Sequence, residues 1–265
     1  MKPYRGYGEK RGGRQGARGG KREKIYVYGK HALVEALTNA PHVVRKVFLA
    51  HEIEDPELRD ILKKNNVPVE AIKTREADRM VGESTAHQGV IAIADPAALM
   101  INFAEFERAL QPTEQTMLVL LDELTDPHNV GAIIRSAAAF GAAGVLMPSH
   151  NQAPITGAVV KASAGMAFRV PLVSIGNVNQ TVDALKEIGF KTYGLAMGGA
   201  QTLAEEKFDA PTLIIVGNEG AGIRQKTLER CDVKLRIPMD PRCESLNASV
   251  SAAVVLYQWS TKHLK

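Results

Sequence analysis

Apolar residues recur in two different patterns along the chain, and the change falls near Met117. From there onward, short apolar runs alternate regularly with segments of helical periodicity. This alternation is typical of a parallel sheet covered by helices on both faces, so it predicts a doubly wound α/β domain at residues 117–265. Strands are predicted at 117–123, 144–147, 169–173, 190–196, 212–217 and 233–237, and helices near 127–140, 155–164, 177–188, 224–230 and 246–262.

A smaller α/β unit is predicted at residues 25–94, and about seventy residues is near the lower limit for independent folding. Its strands are predicted at 25–28, 45–50, 67–70 and 89–94, and its helices at 30–37, 56–64 and near 75–81. His87, just before the last strand, is interpreted as a loop histidine with satisfied hydrogen bonds. Residues 95–116 contain Asp95–Pro96 and Gln111–Pro112 and are predicted to be the linker between the two domains.

The last predicted helix carries an apolar face, and a polar loop precedes it. The face consists of Leu246, Val250, Ala253, Val254 and Tyr257, at the i, i+4, i+7, i+8 and i+11 positions of a helix. The loop contains Ser245, which is either a simple N-cap or a functional residue.

Charge is unevenly distributed along the 265 residues, whose formal net charge is +4. Residues 1–24 contain nine Lys and Arg, two Glu and seven Gly, which leaves a balance of −3 for the rest of the chain. Such a segment buries too little apolar surface to offset its chain entropy, so we expect it to be disordered. It resembles the Arg/Gly segments that bind single-stranded RNA, although a purely solubilising tail is the alternative.

Several classes of protein are disfavoured by the composition. No apolar run approaches the roughly 20 residues of a membrane span, and the charged N-terminus lacks the apolar core of a signal peptide. The two cysteines, Cys231 and Cys243, form no disulfide framework. No Cys/His spacing indicates zinc. We therefore expect a cytoplasmic protein without membrane or metal.

Two further polar loops follow predicted strands. In the first, Asp126 and Pro127 suit the N-cap and first position of a helix, whereas Asn129 and Arg135 are harder to explain structurally. The second loop begins at Gly217, and its G-x-x-G-x-G spacing differs from the dinucleotide-binding fingerprint. Because ligands of parallel sheets bind at the carboxyl ends of strands, all three loops are candidates for one shared site.

Together the three loops resemble a known family. NVGAIIR, IVGNEGAGI and IPM…ESLNASVSAA are similar, in order and spacing, to the three motifs of the SpoU (TrmH-like) 2′-O-ribose methyltransferases. The N-terminal YVYGKHALVEAL and HQG resemble the small L30e-like RNA-binding domain of the large-subunit rRNA branch.

The resemblance implies a fold, a cofactor and partners. The expected fold is a doubly wound sheet whose C-terminal part forms a deep trefoil knot holding S-adenosylmethionine. The expected assembly is a homodimer with a shared active site, and the expected substrate is a guanosine of large-subunit rRNA. The resemblance also implies a catalytic set, namely Asn129, Arg135, Glu219, Ser245 and Asn247. The implied cofactor-binding residues are Gly217, Asn218, Gly220, Ile237, Pro238, Met239, Leu246, Asn247 and Ser249.

The family proposal makes Arg135 a general base, and elementary energetics oppose this. A free guanidinium has a pKa of about 12.5 or higher, so neutralising it near pH 7 costs at least about 7 kcal/mol. General-base catalysis typically contributes only about 10²–10⁴-fold. We therefore favour a charged Arg135 that binds phosphate or stabilises the developing oxyanion. Cys243 is expected to be a bystander near the site.

Alternatives stay open at this stage. Within the enzyme class, the substrate is either rRNA or tRNA. A non-catalytic RNA-binding factor for ribosome assembly is a second class. A nucleotide-dependent oxidoreductase is a third, and it lacks the expected glycine fingerprint after the first strand.

Overall fold

Two sheets organise the computed structural model, which describes residues 24–50, 55–82, 87–196 and 198–264. The predicted disordered tail lies outside the described residues except for Lys24. The smaller sheet has four strands and the larger has eight.

The N-terminal unit is a four-stranded mixed sheet with the strand order β1-β4-β2-β3. Its elements are β1 (Ile25–Tyr28), α1 (Lys30–Asn39), β2 (Val44–Ala50), α2 (Pro56–Lys64), β3 (Val69–Ile72), α3 (Thr74–Val81) and β4 (Val90–Ala94). Every predicted element is present within about two residues. Asp55 caps α2 by accepting a hydrogen bond from the Leu58 amide at 3.1 Å, and Pro56 occupies the first helical turn.

His87 is buried in the loop just before β4. Its Nε2 lies 3.0 Å from Asp78 Oδ1, and its Nδ1 accepts a hydrogen bond from the Gly89 amide at 3.0 Å. Both ring nitrogens therefore have partners, and the interpretation as a satisfied loop histidine is confirmed.

The larger sheet is parallel in every pairing among the described residues. Its strand order is β10-β12-β9-β11-β6-β7-β8-β5. The elements are β5 (Met100–Asn102), α4 (Phe103–Ala109), β6 (Met117–Asp122), α5 (Pro127–Ala139), β7 (Gly144–Pro148), α6 (Gly157–Ala162), β8 (Leu172–Ile175), α7 (Val178–Glu187), β9 (Lys191–Leu195), β10 (Gln201–Thr202), β11 (Thr212–Gly217), α8 (Gln225–Leu228), β12 (Val233–Arg236) and α9 (Ala248–His263).

The central strands are buried on both faces, as their near-continuous apolar sequences require. Along β6, side chains alternate between two apolar clusters, with Met117, Val119 and Leu121 in one and Leu118 and Leu120 in the other. Helices therefore cover both faces, and the doubly wound prediction is confirmed.

The segment predicted as a linker also contributes to the larger sheet. Met100–Asn102 pairs in parallel with β8 as an edge strand. The helix that follows packs Phe103 and Phe106 against the second apolar cluster. A three-residue strand carries too little periodicity to be recognised from sequence, and its partner supplies the hydrogen bonds that define it.

The two units pack directly against each other. A Cβ on Gly157, the first residue of α6, would lie 2.5 Å from the Tyr26 carbonyl oxygen, so only glycine allows this approach. Arg169 Nη2 also donates to Glu35 Oε1 at 3.1 Å across the boundary. The N-terminal unit is thus held on α6 and the segment after it.

Candidate functional site at the carboxyl edge of the sheet

The three polar loops meet at the carboxyl edge of the larger sheet. The first follows β6, and Asp126 begins α5 by accepting a hydrogen bond from the His128 amide at 2.9 Å, with Pro127 in the first turn. The second follows β11, and the third joins β12 to α9. The central strands β6 and β11 are paired over their whole lengths, which brings the first two loops side by side.

Hydrogen bonds between three side chains connect these loops. Asn129 Nδ2 donates to Glu219 Oε1 at 3.0 Å, and Asn247 Nδ2 donates to Asn129 Oδ1 at 2.9 Å. The amide of Asp126 also approaches Glu219 Oε1, at 3.3 Å. Asn129 is buried at 6% exposure, whereas Glu219 and Asn247 are exposed. One buried amide therefore orients two exposed polar groups from distant parts of the chain.

Asn247, and not Ser245, is the N-cap of α9. Its Oδ1 accepts hydrogen bonds from the amides of Ser249 at 2.8 Å and Val250 at 3.3 Å. The alternative that assigned capping to Ser245 is wrong, because α9 begins three residues later. Ser245 instead lies exposed on the wall of a cavity.

Close backbone packing and the Asn218 side chain determine the shape of the glycine-rich turn after β11. A Cβ on Gly217 would lie 2.2 Å from the backbone carbon of Gly222, and Gly222 has φ of +70°. Asn218 Oδ1 accepts hydrogen bonds from the amides of Gly220 at 2.9 Å and Ala221 at 3.2 Å, and its Nδ2 donates to the Glu123 carbonyl at 2.8 Å. Both ends of the Asn218 side-chain amide therefore bond to the protein itself, and the residue supports a ligand site by fixing the shape of the turn.

This turn forms one wall of a cavity of about 540 Å³ at the ends of β9, β11 and β12. Predicted site residues on its wall are Gly217, Asn218, Glu219, Gly220, Ile237, Met239, Ser245 and Leu246. Pro238, Asn247 and Ser249 were also predicted to bind the cofactor, and they are not among the residues of the wall. The cavity combines glycine backbone, apolar side chains and a few polar groups, which is typical of a small-molecule site.

Part of the wall was not anticipated from the sequence. Leu195 is the last residue of β9, Ala196 and Gly198 follow that strand, and Glu244 lies in the third loop. The end of a predicted strand in a parallel sheet is a signal that would have drawn attention to residues 195–198.

An ion pair between a buried carboxylate and an exposed guanidinium was also missed, and it supports the first two loops. Asp122, at the end of β6, is fully buried and accepts hydrogen bonds from the backbone amide of Arg224 at 3.0 Å and its Nε at 2.9 Å. Arg224 also donates to Glu123 Oε1 at 2.7 Å. This pairing fixes the end of the glycine-rich turn against β6.

Arg135 does not join the hydrogen-bonded group within one protomer. It lies on α5 six residues beyond Asn129, a rise of roughly 9 Å, and it is exposed. Among the described residues, no hydrogen bond or ion pair to its guanidinium is found. The first loop therefore divides its polar residues between the cavity side and the protein surface.

The predicted apolar face of the last helix also lies at the surface. Val250, Val254 and Tyr257 are 47%, 36% and 58% exposed. The face of α9 that packs on the sheet is formed instead by Ala252, Val255, Leu256 and Trp259. The exposed face borders a shallow groove of about 470 Å³ between α5 and α9.

The two thiols have different surroundings. Burial raises the pKa of Cys231 to about 12, and nearby Asp232 adds to the shift, so this thiol is unreactive near neutral pH. Cys243 is exposed in the third loop, with Sγ 4.0 Å from the Ser245 carbonyl oxygen. In the described part of the chain, no cluster of three or more His, Cys, Asp or Glu has a geometry able to hold a metal ion.

The fold and site define a two-domain α/β protein with a candidate ligand cavity at the carboxyl edge of a parallel sheet. Comparison with known proteins assigns this class to a family. Residues 116–257 match the model of the SpoU rRNA Methylase family. Residues 26–100 match a second model, RNA 2′-O ribose methyltransferase substrate binding. The chain belongs to the SpoU rRNA methylase family, and the resemblance drawn from its motifs is confirmed.

Individual relatives extend over most of the chain. A 23S rRNA (guanosine-2′-O-)-methyltransferase, RlmB, from Pseudomonas putida is 35% identical over 236 residues, which cover 88% of this chain and 94% of the relative. A Staphylococcus haemolyticus protein assigned to the TrmH family of tRNA/rRNA methyltransferases is 32% identical over 243 residues, covering 89% and 95%.

Solved structures agree with the fold. The SpoU methyltransferase AviRb from Streptomyces viridochromogenes, crystallised with AdoMet, aligns with a TM-score of 0.75 and 26% identity over 91% of both chains. An AdoMet-bound rRNA methyltransferase from Sinorhizobium meliloti, at 21% identity, shares the fold with a TM-score of 0.77 over 91% of this chain and 88% of that one. Within the described residues, no helix is long and apolar enough to cross a membrane.

Proposed function

We propose that this protein transfers a methyl group from S-adenosylmethionine to the ribose 2′-hydroxyl of a guanosine in 23S rRNA. The observation that carries the proposal is the hydrogen-bonded series Glu219–Asn129–Asn247 beside the cavity, in a chain of the SpoU rRNA methylase family. The similarity to RlmB enzymes supports the choice of guanosine and of 23S rRNA. Since ribosomal RNA is the proposed substrate, we propose that the enzyme acts in the cytoplasm.

The residues of the cavity fit S-adenosylmethionine. Glycine backbone at Gly217 and Gly220 leaves room for close approach, and Ile237 and Leu246 offer apolar surface for the adenine ring. Exposed Ser245 supplies a polar group for the charged end of the cofactor. When bound, the cofactor supplies a methyl group activated by the sulfonium, and the protein supplies position and electrostatics.

Asn129 acts in this proposal by orienting Glu219. Glu219 Oε1 is held by two donors, the Asn129 side chain and the Asp126 amide, and no contact within the described residues occupies Oε2. Oε2 is therefore available to accept a hydrogen bond from the reacting 2′-hydroxyl of the RNA ribose. Holding the reacting hydroxyl in line with the methyl group can contribute about 7–11 kcal/mol of barrier lowering.

Arg135 acts as a charged group in this proposal, binding an RNA phosphate or stabilising the developing oxyanion. Its exposure on α5 is consistent with contact to a polyanion, and a guanidinium suits bidentate phosphate binding. The variant Arg135→Lys tests the role. We expect lower turnover with no new pH dependence. A restored rate that follows deprotonation of the introduced amine would instead support a general base.

A homodimer completes the proposed site. The groove between α5 and α9 is lined by Ala132 and Ser136 together with the exposed Val250, Val254 and Tyr257. A second copy related by two-fold symmetry would cover this exposed apolar surface. Arg135 directly precedes the lining residue Ser136 in sequence, so the same contact would bring it close to the partner subunit.

A trefoil knot at the C-terminal end is part of the proposal. Residues between β9 and β11 pass over α9, where His263 Nε2 lies 3.0 Å from the Phe208 carbonyl oxygen. A Cβ on Gly199 would lie 2.4 Å from the Lys234 carbonyl oxygen, which fits two backbones crossing closely. Pulling the chain by its ends would test the knot. We expect an unfolded contour length shorter than 265 free residues give, and the full length would exclude a knot.

The reaction is tested with purified protein, methyl-labelled S-adenosylmethionine, and RNA from cells that lack the gene. We expect label in 23S rRNA at one alkali-resistant linkage. Label in tRNA alone would favour the tRNA alternative. RNA binding without any transfer would favour the non-catalytic assembly factor.

A further inference from the structure

A second, polar recess lies at the same edge of the sheet as the cofactor cavity. It has a volume of about 160 Å³, and its wall includes Glu123, Pro148, His150, Asn151, Asn177 and Arg224. It lies at the ends of β6, β7 and β8, whereas the cofactor cavity lies at the ends of β9, β11 and β12. Neighbouring strands are roughly 4.8 Å apart, so the ends of β11 and β7 are separated by about 10 Å, a distance that one nucleoside spans.

The carboxylate of Glu123 is held rigidly in this recess. Its Oε1 accepts hydrogen bonds from Arg224 Nη1 at 2.7 Å and Asn151 Nδ2 at 3.3 Å. Glu123 itself has φ of +64°. This backbone conformation is unfavourable for residues other than glycine, and such residues cluster at functional sites. The Glu123 carbonyl oxygen accepts a hydrogen bond from Asn218 Nδ2 in the glycine-rich turn, and this bond connects the recess to the cofactor cavity.

The charges of the recess disfavour a phosphate. Among the described residues of its wall, Arg224 carries the one permanent positive charge, and it is already bound to buried Asp122 and to Glu123. The three side chains together carry a formal charge of −1. A ligand that presents hydrogen-bond donors to the carboxylate therefore suits the recess better than an anion.

Two side-chain amides on the wall of the recess, those of Asn177 and Asn179, add hydrogen-bond donors beside the carboxylate. Asn177 Oδ1 accepts from the Gln180 amide, and Asn179 Oδ1 accepts from Thr227 Oγ1. In the described ranges, the Nδ2 of neither residue makes a hydrogen bond, so both amides can donate to a ligand. A fixed carboxylate beside free amide donors matches the Watson–Crick edge of guanine. That edge presents two adjacent donors, N1–H and N2–H₂, next to the O6 acceptor, whereas adenine, cytosine and uracil lack two adjacent donors.

We propose that this recess binds a guanine base of the RNA substrate, with Glu123 Oε2 accepting hydrogen bonds from guanine N1–H and N2–H₂ while Arg224 and Asn151 hold Oε1. The proposal rests on the proposed function for the substrate being RNA. Glu123 is then a specificity residue, acting on the base and not on the reacting hydroxyl.

Binding of short RNAs tests the recess separately from catalysis. Five-nucleotide uridine RNAs carry a central guanosine, inosine or adenosine, and fluorescence anisotropy measures their affinity in the presence of S-adenosylhomocysteine. Inosine lacks only the N2 amino group. We expect wild type to prefer guanosine over inosine and adenosine by roughly 5- to 150-fold, the range of a good bidentate pair.

The variant Glu123→Gln should lose that preference, because Arg224 and Asn151 hold its carbonyl oxygen and leave an N–H₂ donor at the position of Oε2. Glu114→Gln, at an exposed turn residue, is the matched control and should keep it. Asn151→Gly removes the amide that holds Glu123 and tolerates the φ of +55°, so it should weaken the preference if Glu123→Gln fails to fold. Equal wild-type binding of guanosine and inosine, or an unchanged preference in folded Glu123→Gln, would overturn the proposal.

Methyl transfer to the mapped rRNA fragment distinguishes which guanine is bound. Inosine is placed at the modified position in one RNA and at the flanking guanosines in others. The guanine bound in the recess is the one whose replacement by inosine lowers kcat/KM for wild type but not for Glu123→Gln. Discrimination in binding without any methyl transfer would support guanine binding in the recess and overturn the enzymatic function. Methyl transfer that is insensitive to every inosine would support the enzymatic function and overturn guanine binding in the recess.

Discussion

Replacement of Asn129 by Ala should separate activity from stability. The side chain makes two hydrogen bonds, to Glu219 at 3.0 Å and from Asn247 at 2.9 Å. A neutral hydrogen bond contributes about 0.5–1.5 kcal/mol and one to a charged group about 1.5–3 kcal/mol. Because Glu219 and Asn247 are exposed, water can replace the lost contacts. The two contributions sum to about 2–4.5 kcal/mol, and replacement by water lowers the expected loss of unfolding free energy to about 1–3 kcal/mol.

The melting temperature of Asn129→Ala should fall by roughly 2–12 °C, since 1 kcal/mol corresponds to about 2–4 °C in a chain of this size. Methyl transfer should fall further, by about 10²-fold, because Glu219 loses the donor that orients it and a displacement near 1 Å has that effect. Calorimetry and single-turnover methyl transfer, both well below the melting temperature, measure the two quantities.

Ser163→Ala is the control for this variant. Ser163 is fully buried and its Oγ donates to the Val160 carbonyl oxygen at 2.9 Å, away from the cavity. It should lose comparable stability and keep its turnover. If both variants lose turnover only in proportion to their unfolded fraction, Asn129 has a structural role and the orienting argument is refuted.

Three other outcomes are expected. Gly217→Ala should unfold the glycine-rich turn and abolish S-adenosylmethionine binding by calorimetry, whereas Gly220→Ala should fold normally, since a Cβ there meets nothing closer than 3.7 Å; a stable, ligand-binding Gly217→Ala would contradict the packing argument. Tyr257→Asp should convert a dimer to a monomer in sedimentation and lower methyl transfer, while a wild-type monomer with full activity would exclude the shared site. Burial raises the pKa of Glu206, but hydrogen bonds from Lys191 and Tyr193 outweigh this and leave the pKa below its ordinary value of 4.5. The stability it contributes is therefore present above pH 4.5 and is lost as pH falls through the folded-state pKa, so melting curves below pH 4.5 should decline more steeply for wild type than for Glu206→Gln; parallel curves would remove Glu206 from the acid transition.

Local pattern determined most of the secondary structure. Asp126 and Pro127 start α5 as expected because capping depends only on neighbouring atoms. Strand β11 spans Thr212–Gly217 as predicted, because a buried parallel strand must be apolar throughout. The three motifs similarly identified the family, since each is a short continuous segment.

The tertiary structure alone decided which polar groups meet and which apolar faces remain open. Asn129 lies 90 residues from Glu219 and 118 from Asn247, and no local periodicity encodes contacts at that separation. The same holds for Glu123 and Arg224, which the sequence did not single out. The apolar face of α9 was visible in the sequence, yet only packing revealed that a different face contacts the sheet, because helical periodicity describes a stripe and not the surface that covers it.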